Sequence, residues 1–112
     1  MDSILTSIKK FLGIAEEYEH FDADLIMHIN SVFMILNQMG VGPPETFSIS
    51  GKFETWDEFI PEGSNLASVK SYVYIKVKLL FDPPSSSALI EATNRQVSEL
   101  EWRLNVAAET NT

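Results

Sequence analysis

Two groups of glycine and proline residues limit how far any helix can run in this chain. The first group lies within residues 41 to 63 and consists of Gly42, Pro43, Pro44, Gly51, Pro61 and Gly63. The second is Pro83 with Pro84. Proline removes a helical hydrogen bond and moves the residue before it out of the helical region. Long helices are therefore confined to residues before 41, between about 65 and 81, and after 84.

Before the first break, apolar spacing predicts two helices. Ser3 begins a short helix that Gly13 ends, and Asp22 is the expected N-cap of a longer helix that runs to Met39. In this second helix one arc is core-facing and consists of Leu25, Ile26, Ile29, Val32, Phe33 and Leu36. Met27 and Met34 lie on the opposite side, where a surface helix normally carries charge. This second apolar stripe predicts a partner.

A third helix is predicted from Asn65 to Phe81. Its core-facing residues are Leu66, Val69, Val73, Val77 and Leu80. Ile75 and Leu79 lie far round the other side. Because few of its residues suit water, this helix is expected to be central or shared between chains.

The last helix is expected to begin near Ser85 to Ser87 and to reach Ala108, with residues 109–112 frayed. Its inward residues are expected to be Leu89, Ile90, Thr93, Val97, Leu100 and Leu104. Trp102 and Arg95 lie together on the outside, a pairing typical of interface anchors. The alternative is that the helix is rotated and Trp102 covers the core.

The connection between the second and third helices is predicted to be a long irregular loop or a small β-hairpin. Phe47 and Ile49 alternate with serines before Gly51, and Thr55 with Glu58 forms a possible capping box for one helical turn. Four aromatic residues make this connection a candidate partner-binding loop: Phe47, Phe53, Trp56 and Phe59.

Composition places the chain in one class. Its 112 residues, 45% hydrophobic and 21% charged, predict a single soluble globular domain over residues 1–108, and the four helices predicted above make that domain mainly α. The absence of cysteine excludes disulfides and thiol chemistry and favours a reducing cytosol. A net charge of -8 disfavours binding to nucleic-acid phosphates. No membrane span or signal peptide is expected, since no long apolar run is present.

The polar residues do not predict catalysis, a cofactor or a metal. His20, Asp24 and His28 are four residues apart, but the expected helix start leaves His20 outside the helix. Asp57 and Glu58 are adjacent and point in different directions, unlike the carboxylate pair of a glycosidase. We therefore do not expect an enzyme.

Five segments of the chain together carry a family resemblance: residues 26–33, 36–42, 56–60, 69–84 and 94–104. The most specific feature among them is the helix stop Phe81-Asp82-Pro83-Pro84. These segments resemble the head-tail connector (adaptor) proteins of tailed phages, in the branch common in phages and prophages of Gram-positive bacteria. The resemblance covers nearly the whole chain.

This resemblance implies a small bundle of about four helices with a long irregular loop. It also implies a virion protein that assembles in the bacterial host cytoplasm as a ring, matching the twelve-fold symmetry of the phage portal. The portal protein would bind one face of the ring, a stopper or tail-completion protein the other, and double-stranded DNA would pass through without specific binding. The candidate subunit or portal contacts are Met27, Met34, Ile75, Leu79, Arg95 and Trp102. An acidic ring would repel DNA.

A second hypothesis comes from a different class of protein. The chain could be a free-standing acidic inhibitor that mimics DNA and blocks a host protein. Such an inhibitor needs two phosphate-like rows of acids and has no need of second apolar faces on its helices. The apolar faces therefore favour the connector.

Overall fold

Five helices form the regular structure of residues 3–61, 63 and 65–110, the part of the chain that this computed structural model describes. They are α1 (Ile4–Leu12), α2 (Asp22–Gln38), α3 (Trp56–Phe59), α4 (Leu66–Phe81) and α5 (Ser87–Thr110). Within those residues there is no strand, only an isolated antiparallel bridge between Ser3 and Thr55. The predicted fold class, a small mainly α bundle, is confirmed. The extra element is the single-turn α3, predicted only as a turn.

Local signals set the helix ends. The Ser3 hydroxyl accepts a hydrogen bond from the Thr6 N–H at 3.1 Å, which caps α1. Gly13, with φ of 78°, ends this helix in the left-handed conformation that other residues seldom adopt. Asp22 is the first residue of α2, and the cap position falls one residue earlier, on Phe21. Both predicted helices are therefore present, with boundaries that differ by one residue.

Helix α4 is the centre of the bundle. It packs against α2 on one side and α5 on another, while α2 and α5 have little contact with each other. The buried core drawn from these elements and the long loop is Ile4, Leu5, Ile8, Leu25, Ile29, Val32, Phe33, Leu36, Val41, Ile49, Trp56, Phe59, Val69, Tyr72, Val73, Val77, Val97 and Leu104. The outer sides of α2 and α5 consequently face away from α4 in different directions.

Two residues predicted to face the core are exposed instead. Leu80 lies in the last turn of α4 and Leu89 in the first turn of α5, on either side of the proline break. The inward residues of α5 that become fully buried, Val97 and Leu104, lie further along that helix. Apolar spacing predicts the direction in which a side chain points but not the length over which two helices pack. The last turn of α4 and the first turn of α5 extend beyond that contact, so Leu80 and Leu89 are exposed to solvent.

The C-terminal end is helical for longer than predicted. Helix α5 continues through Thr110, two residues past the expected end at Ala108. Residues 111 and 112, the rest of the expected frayed tail, lie outside the described part of the chain. None of the described helices is both long and apolar enough to cross a membrane.

The long loop between α2 and α3 is irregular, so the hairpin alternative is wrong. A side-chain amide takes the place of a strand partner: Asn30 donates to the Ile49 carbonyl at 3.0 Å and accepts from the Ile49 N–H at 2.7 Å. At the far end of the loop, the Ile4 N–H donates to the Glu54 carbonyl at 2.9 Å. The loop is therefore attached to both α1 and α2.

A buried lysine fixes the acidic connection between α1 and α2. Lys9 is only 2% exposed. Its Nζ donates to the carbonyl oxygens of Glu16 at 2.8 Å and Tyr18 at 2.6 Å, and it forms an ion pair with Asp22 Oδ1 at 2.8 Å. These contacts satisfy a charge that could not otherwise be buried. The acidic connection therefore takes one conformation around Lys9.

Candidate functional site

From Met27 to Gln38, the outer side of α2 is an exposed stripe without acidic or basic residues, and the exposed Asp24 lies one turn before Met27. We define the α2 stripe as Ala23, Met27, Ser31, Met34 and Gln38, which are all exposed. Met27 is 58% and Met34 55% exposed. Both lie opposite the buried residues of α2, as the 3.6-residue period predicted. Exposed apolar side chains with a polar surround are typical of a contact surface.

A second exposed surface lies on the outer side of α5. We define the α5 face as Arg95, Ser98, Trp102 and Val106, which are all exposed. Trp102 is 67% exposed, so it points outward as the helical spacing predicted. The alternative, in which α5 is rotated and Trp102 covers the core, is wrong. Val106 lies one turn from it, and Arg95 lies two turns before it. An exposed tryptophan near an arginine is the composition of an interface anchor.

Ile75 and Leu79, predicted as a second exposed side of α4, are half-buried instead. They pack against the core and line a cavity of about 140 Å³ together with Phe11 of α1 and Thr93 and Gln96 of α5. The physical reason is that α5 returns over α4 after the proline break and covers this side. The expectation that these two residues lie in water is therefore wrong, and the second apolar side of α4 serves the fold of the monomer.

Three of the four aromatic residues of the candidate partner loop belong to the core. Trp56 and Phe59 are buried and Phe47 is half-buried. The ring of Phe33 on α2 lies 4.6 Å from Phe59 and 5.2 Å from Phe47, centre to centre. Large aromatic rings gain most when they are removed from water, so they anchor the loop. These three residues are not available to a partner in this fold.

Phe53 is the exception, since it is 81% exposed. It is presented by a turn that Glu54 stabilises: the Glu54 carboxylate accepts from the Ser50 N–H at 2.8 Å and from the Ser50 hydroxyl at 3.0 Å. Burial acts to raise the pKa of Glu54, but these hydrogen bonds and one from Gly51 outweigh it and lower the pKa. The turn that carries Phe53 is therefore best held when Glu54 is ionised.

A partly buried hydrogen bond joins α4 to α5. The Tyr72 hydroxyl donates to Glu101 Oε2 at 2.7 Å. Burial, together with the hydrogen bond to Glu101 and the charge of that carboxylate, raises the pKa of Tyr72. Sequence reasoning missed this pair, because no local pattern connects residues that are 29 positions apart in the chain. This contact fixes the rotation of α5, and with it the direction of the α5 face.

An open cleft of about 710 Å³ lies between the end of α2, α3 and the C-terminal half of α5. Asp57 and Glu58 lie on its rim. Both serve the start of α3: the Thr55 hydroxyl donates to Asp57, and the Thr55 N–H donates to Glu58 at 3.4 Å. These acids are helix-capping groups, as the capping box predicted, and this pairing supplies no acid and base for catalysis.

The structure does not bring the two histidines together with Asp24. His20 precedes α2 and packs edge-on against Phe21, with ring centres 4.9 Å apart. In the described part of the chain, no three side chains of the metal-binding types lie close enough to hold an ion. Among the sequence-predicted site residues that the structure describes, those exposed to a partner are Met27 and Met34 in the α2 stripe, Arg95 and Trp102 in the α5 face, and Phe53.

Comparison with known families decides what kind of protein carries these surfaces. The family model described as phage connector protein matches residues 4–111, which includes every helix of the bundle. The chain belongs to the phage connector protein family. Among curated proteins and among solved structures, none matches it. The resemblance seen in the sequence is confirmed, whereas the Gram-positive branch remains a prediction.

Membership in the phage connector family explains why the surfaces look as they do. A connector is a structural virion component with a role at the head–tail connection, and such a component works through contacts with other proteins. The α2 stripe and the α5 face are extended surfaces on rigid helices, which suits a protein partner. For this phage connector chain, the candidate site is therefore a pair of interaction surfaces.

Proposed function

We propose that the chain is a head-tail connector subunit that forms a ring beneath the phage portal. In this proposal the portal protein binds one face of the ring and a stopper or tail-completion protein binds the other. Double-stranded DNA passes through the ring, which matches the twelve-fold symmetry of the portal. The subunits assemble in the cytoplasm of the bacterial host and remain at the head–tail interface of the virion. Family membership supports the general role.

The observation that carries the proposal is the presence of two separate exposed surfaces on different sides of one small bundle. The α2 stripe and the α5 face each lie opposite a buried helix face, and α4 lies between the two helices. A ring subunit touches two neighbours and therefore needs two contact surfaces. A monomer that acted alone would gain nothing from exposing two methionines and a tryptophan on these helices.

Charge supports the passage of DNA. The chain has a net charge of -8, and the exposed acids include Glu16, Glu17 and Glu19 in the connection between α1 and α2. Protein that grips DNA replaces counterions at the phosphates with lysine and arginine, which are few here. A ring of such subunits repels the duplex and would not retain it.

The positions of the acids argue against the DNA-mimic alternative. A mimic must present free carboxylates in rows, but many acids of this chain are engaged within the bundle. Asp22 pairs with Lys9, Asp82 with Lys78, and Glu99 with Arg103. Glu54 and Glu101 accept the hydrogen bonds described above. Asp22, Glu54 and Glu101 thus serve the fold of the chain itself, whereas Asp82 and Glu99 form exposed pairs with residues four positions away.

The experiment that tests the proposal combines the purified chain with its portal protein and follows assembly by light scattering and electron microscopy. We expect ring-shaped complexes on the portal and no submicromolar binding to duplex DNA at physiological salt. Trp102→Ala should cost about 2 kcal/mol of assembly free energy, which is roughly a 30-fold loss of affinity, if Trp102 is an anchor. Melting of the monomer should change little, because Trp102 is exposed.

Leu89→Ala is the matched control, since Leu89 is an exposed apolar residue of the same helix that lies off the α5 face. It should leave assembly unchanged. A chain that stays monomeric both alone and with the portal would refute the connector proposal. Competition with DNA for a host DNA-binding protein would favour the mimic instead.

A further inference from the structure

The two exposed surfaces of the bundle differ in shape and chemistry. The α2 stripe is uncharged from Met27 to Gln38, with the small Ser31 between the two methionines in sequence, and the exposed Asp24 lies at its N-terminal end. The α5 face projects one large ring, Trp102, and one cation, Arg95. Sulfur in a thioether makes favourable contacts with aromatic rings, so a tryptophan is a good partner for an exposed surface that carries two methionines. The α5 face thus supplies an aromatic ring and a cation, and the α2 stripe supplies thioethers that can contact the ring.

The spacing of the two surfaces also agrees. Arg95 and Trp102 are seven residues apart, about 10.5 Å along a helix. On α2 the same distance separates Asp24 from Ser31. If two such helices lie side by side and run the same way, Arg95 is opposite Asp24 when Trp102 is opposite Ser31. The ring then enters the space between the methionines while the charges meet.

The charges at these positions are available. Asp24 is exposed at the start of α2, and no ion pair joins it to another described residue. The guanidinium of Arg95 likewise has no ion-pair partner in the described ranges, although Glu91 and Glu99 lie one turn away on either side. Glu99 is already held by Arg103 at 2.8 Å. A contact that brings Asp24 to Arg95 pairs two charges that the monomer leaves in water.

We propose that neighbouring subunits join through these unlike surfaces, with the α2 stripe of one copy packed against the α5 face of the next. The inference rests on the proposed function, because it specifies how the ring closes. A contact between unlike surfaces repeats from copy to copy and closes into a ring when its rotation divides a full turn. A contact between two α2 stripes would stop at a dimer and leave Trp102 uncovered.

Crosslinking tests this arrangement directly because the chain contains no cysteine. Ser31→Cys places a thiol in the α2 stripe, and Ser98→Cys places one in the α5 face beside Trp102. With a short bismaleimide reagent, we expect covalent dimers only when the two variants are mixed, and a ladder of larger species from a chain that carries both substitutions. Ser85→Cys, an exposed serine between α4 and α5, is the control and should crosslink to neither.

The outcomes separate this proposal from the proposed function. If wild-type rings form but Ser31→Cys or Ser98→Cys crosslinks efficiently to itself and not to the other, the surfaces pair with their own kind and the proposal is overturned. Equal crosslinking of Ser85→Cys overturns it as well. If no ring forms even on the portal, the connector proposal fails, and this one fails with it.

Charge reversal gives a second, independent readout. Asp24→Lys and Arg95→Glu should each lower assembly of rings at least tenfold at low salt. The chain that carries both substitutions should recover most of the loss, because the pair is restored with opposite sign. A doubly substituted chain that assembles no better than the weaker single variant would contradict the pairing of Asp24 with Arg95.

Discussion

Replacement of Lys9 by methionine should strongly destabilise the bundle, although the sequence marks this residue only as one lysine of a short helix. Methionine keeps much of the apolar stem but removes the ammonium that binds two carbonyls and the Asp22 carboxylate. Breaking a buried ion pair costs about 3 to 5 kcal/mol, and a buried group left unsatisfied costs about 1 to 3 kcal/mol. The Asp22 side chain is still 21% exposed and can recover some hydration.

We therefore expect Lys9→Met to lower the free energy of unfolding by about 3 kcal/mol, at the lower end of that range. For a domain of this size, such a loss lowers the melting temperature by about 12 °C. Urea unfolding followed by circular dichroism measures it. Because the pair is largely shielded from solvent, added salt should change the loss little.

Lys52→Met is the matched control, because Lys52 is an exposed lysine of the long loop. Its effect should stay within about 0.5 kcal/mol, as for most surface substitutions. Asp22→Asn completes a double-mutant cycle, in which the two losses should overlap by more than about 1 kcal/mol. If Lys9→Met were as harmless as the control, the argument that Lys9 fixes the acidic connection would be refuted.

Three further predictions concern other contacts. Tyr72→Phe should lower the free energy of unfolding by about 1.5 to 3 kcal/mol, since the lost hydrogen bond has a carboxylate, Glu101, as its acceptor. Because the folded-state pKa of Tyr72 is raised, the full difference should be present below about pH 10 and should shrink above it. Urea unfolding at a series of pH values measures this. Glu54→Gln should destabilise at neutral pH, and because the folded-state pKa of Glu54 is lowered, the difference from wild type should vanish as pH falls below about 4.5. Gly42→Ala should lower the melting temperature, since the added Cβ would lie 2.6 Å from the Phe59 ring at a φ of 91°.

Most helix boundaries and the outward direction of Met27, Met34 and Trp102 could be predicted from sequence. Ser3, Gly13 and the Pro83-Pro84 pair act on their own neighbours in the chain, so their effects are visible without knowledge of the fold. The same holds for the outward direction of Met27 and Trp102, because helical periodicity fixes the face on which a residue lies. Charge and the absence of cysteine likewise follow from composition alone.

Only the tertiary structure determined which element packs against each helix face. Ile75 and Leu79 have the same periodic signal as an exposed stripe, but α5 covers them, and no local pattern announces where a distant helix will pack. Trp56 and Phe59 looked like partner residues for the same reason. Lys9 pairs with Asp22 of the next helix, and Tyr72 bonds Glu101 of the next helix. These contacts form only when the helices pack together. Periodicity depends on the sequence of one helix alone, whereas burial depends on which second helix packs against it. The sequence therefore predicts the helices, and only the tertiary structure decides which helix faces stay exposed.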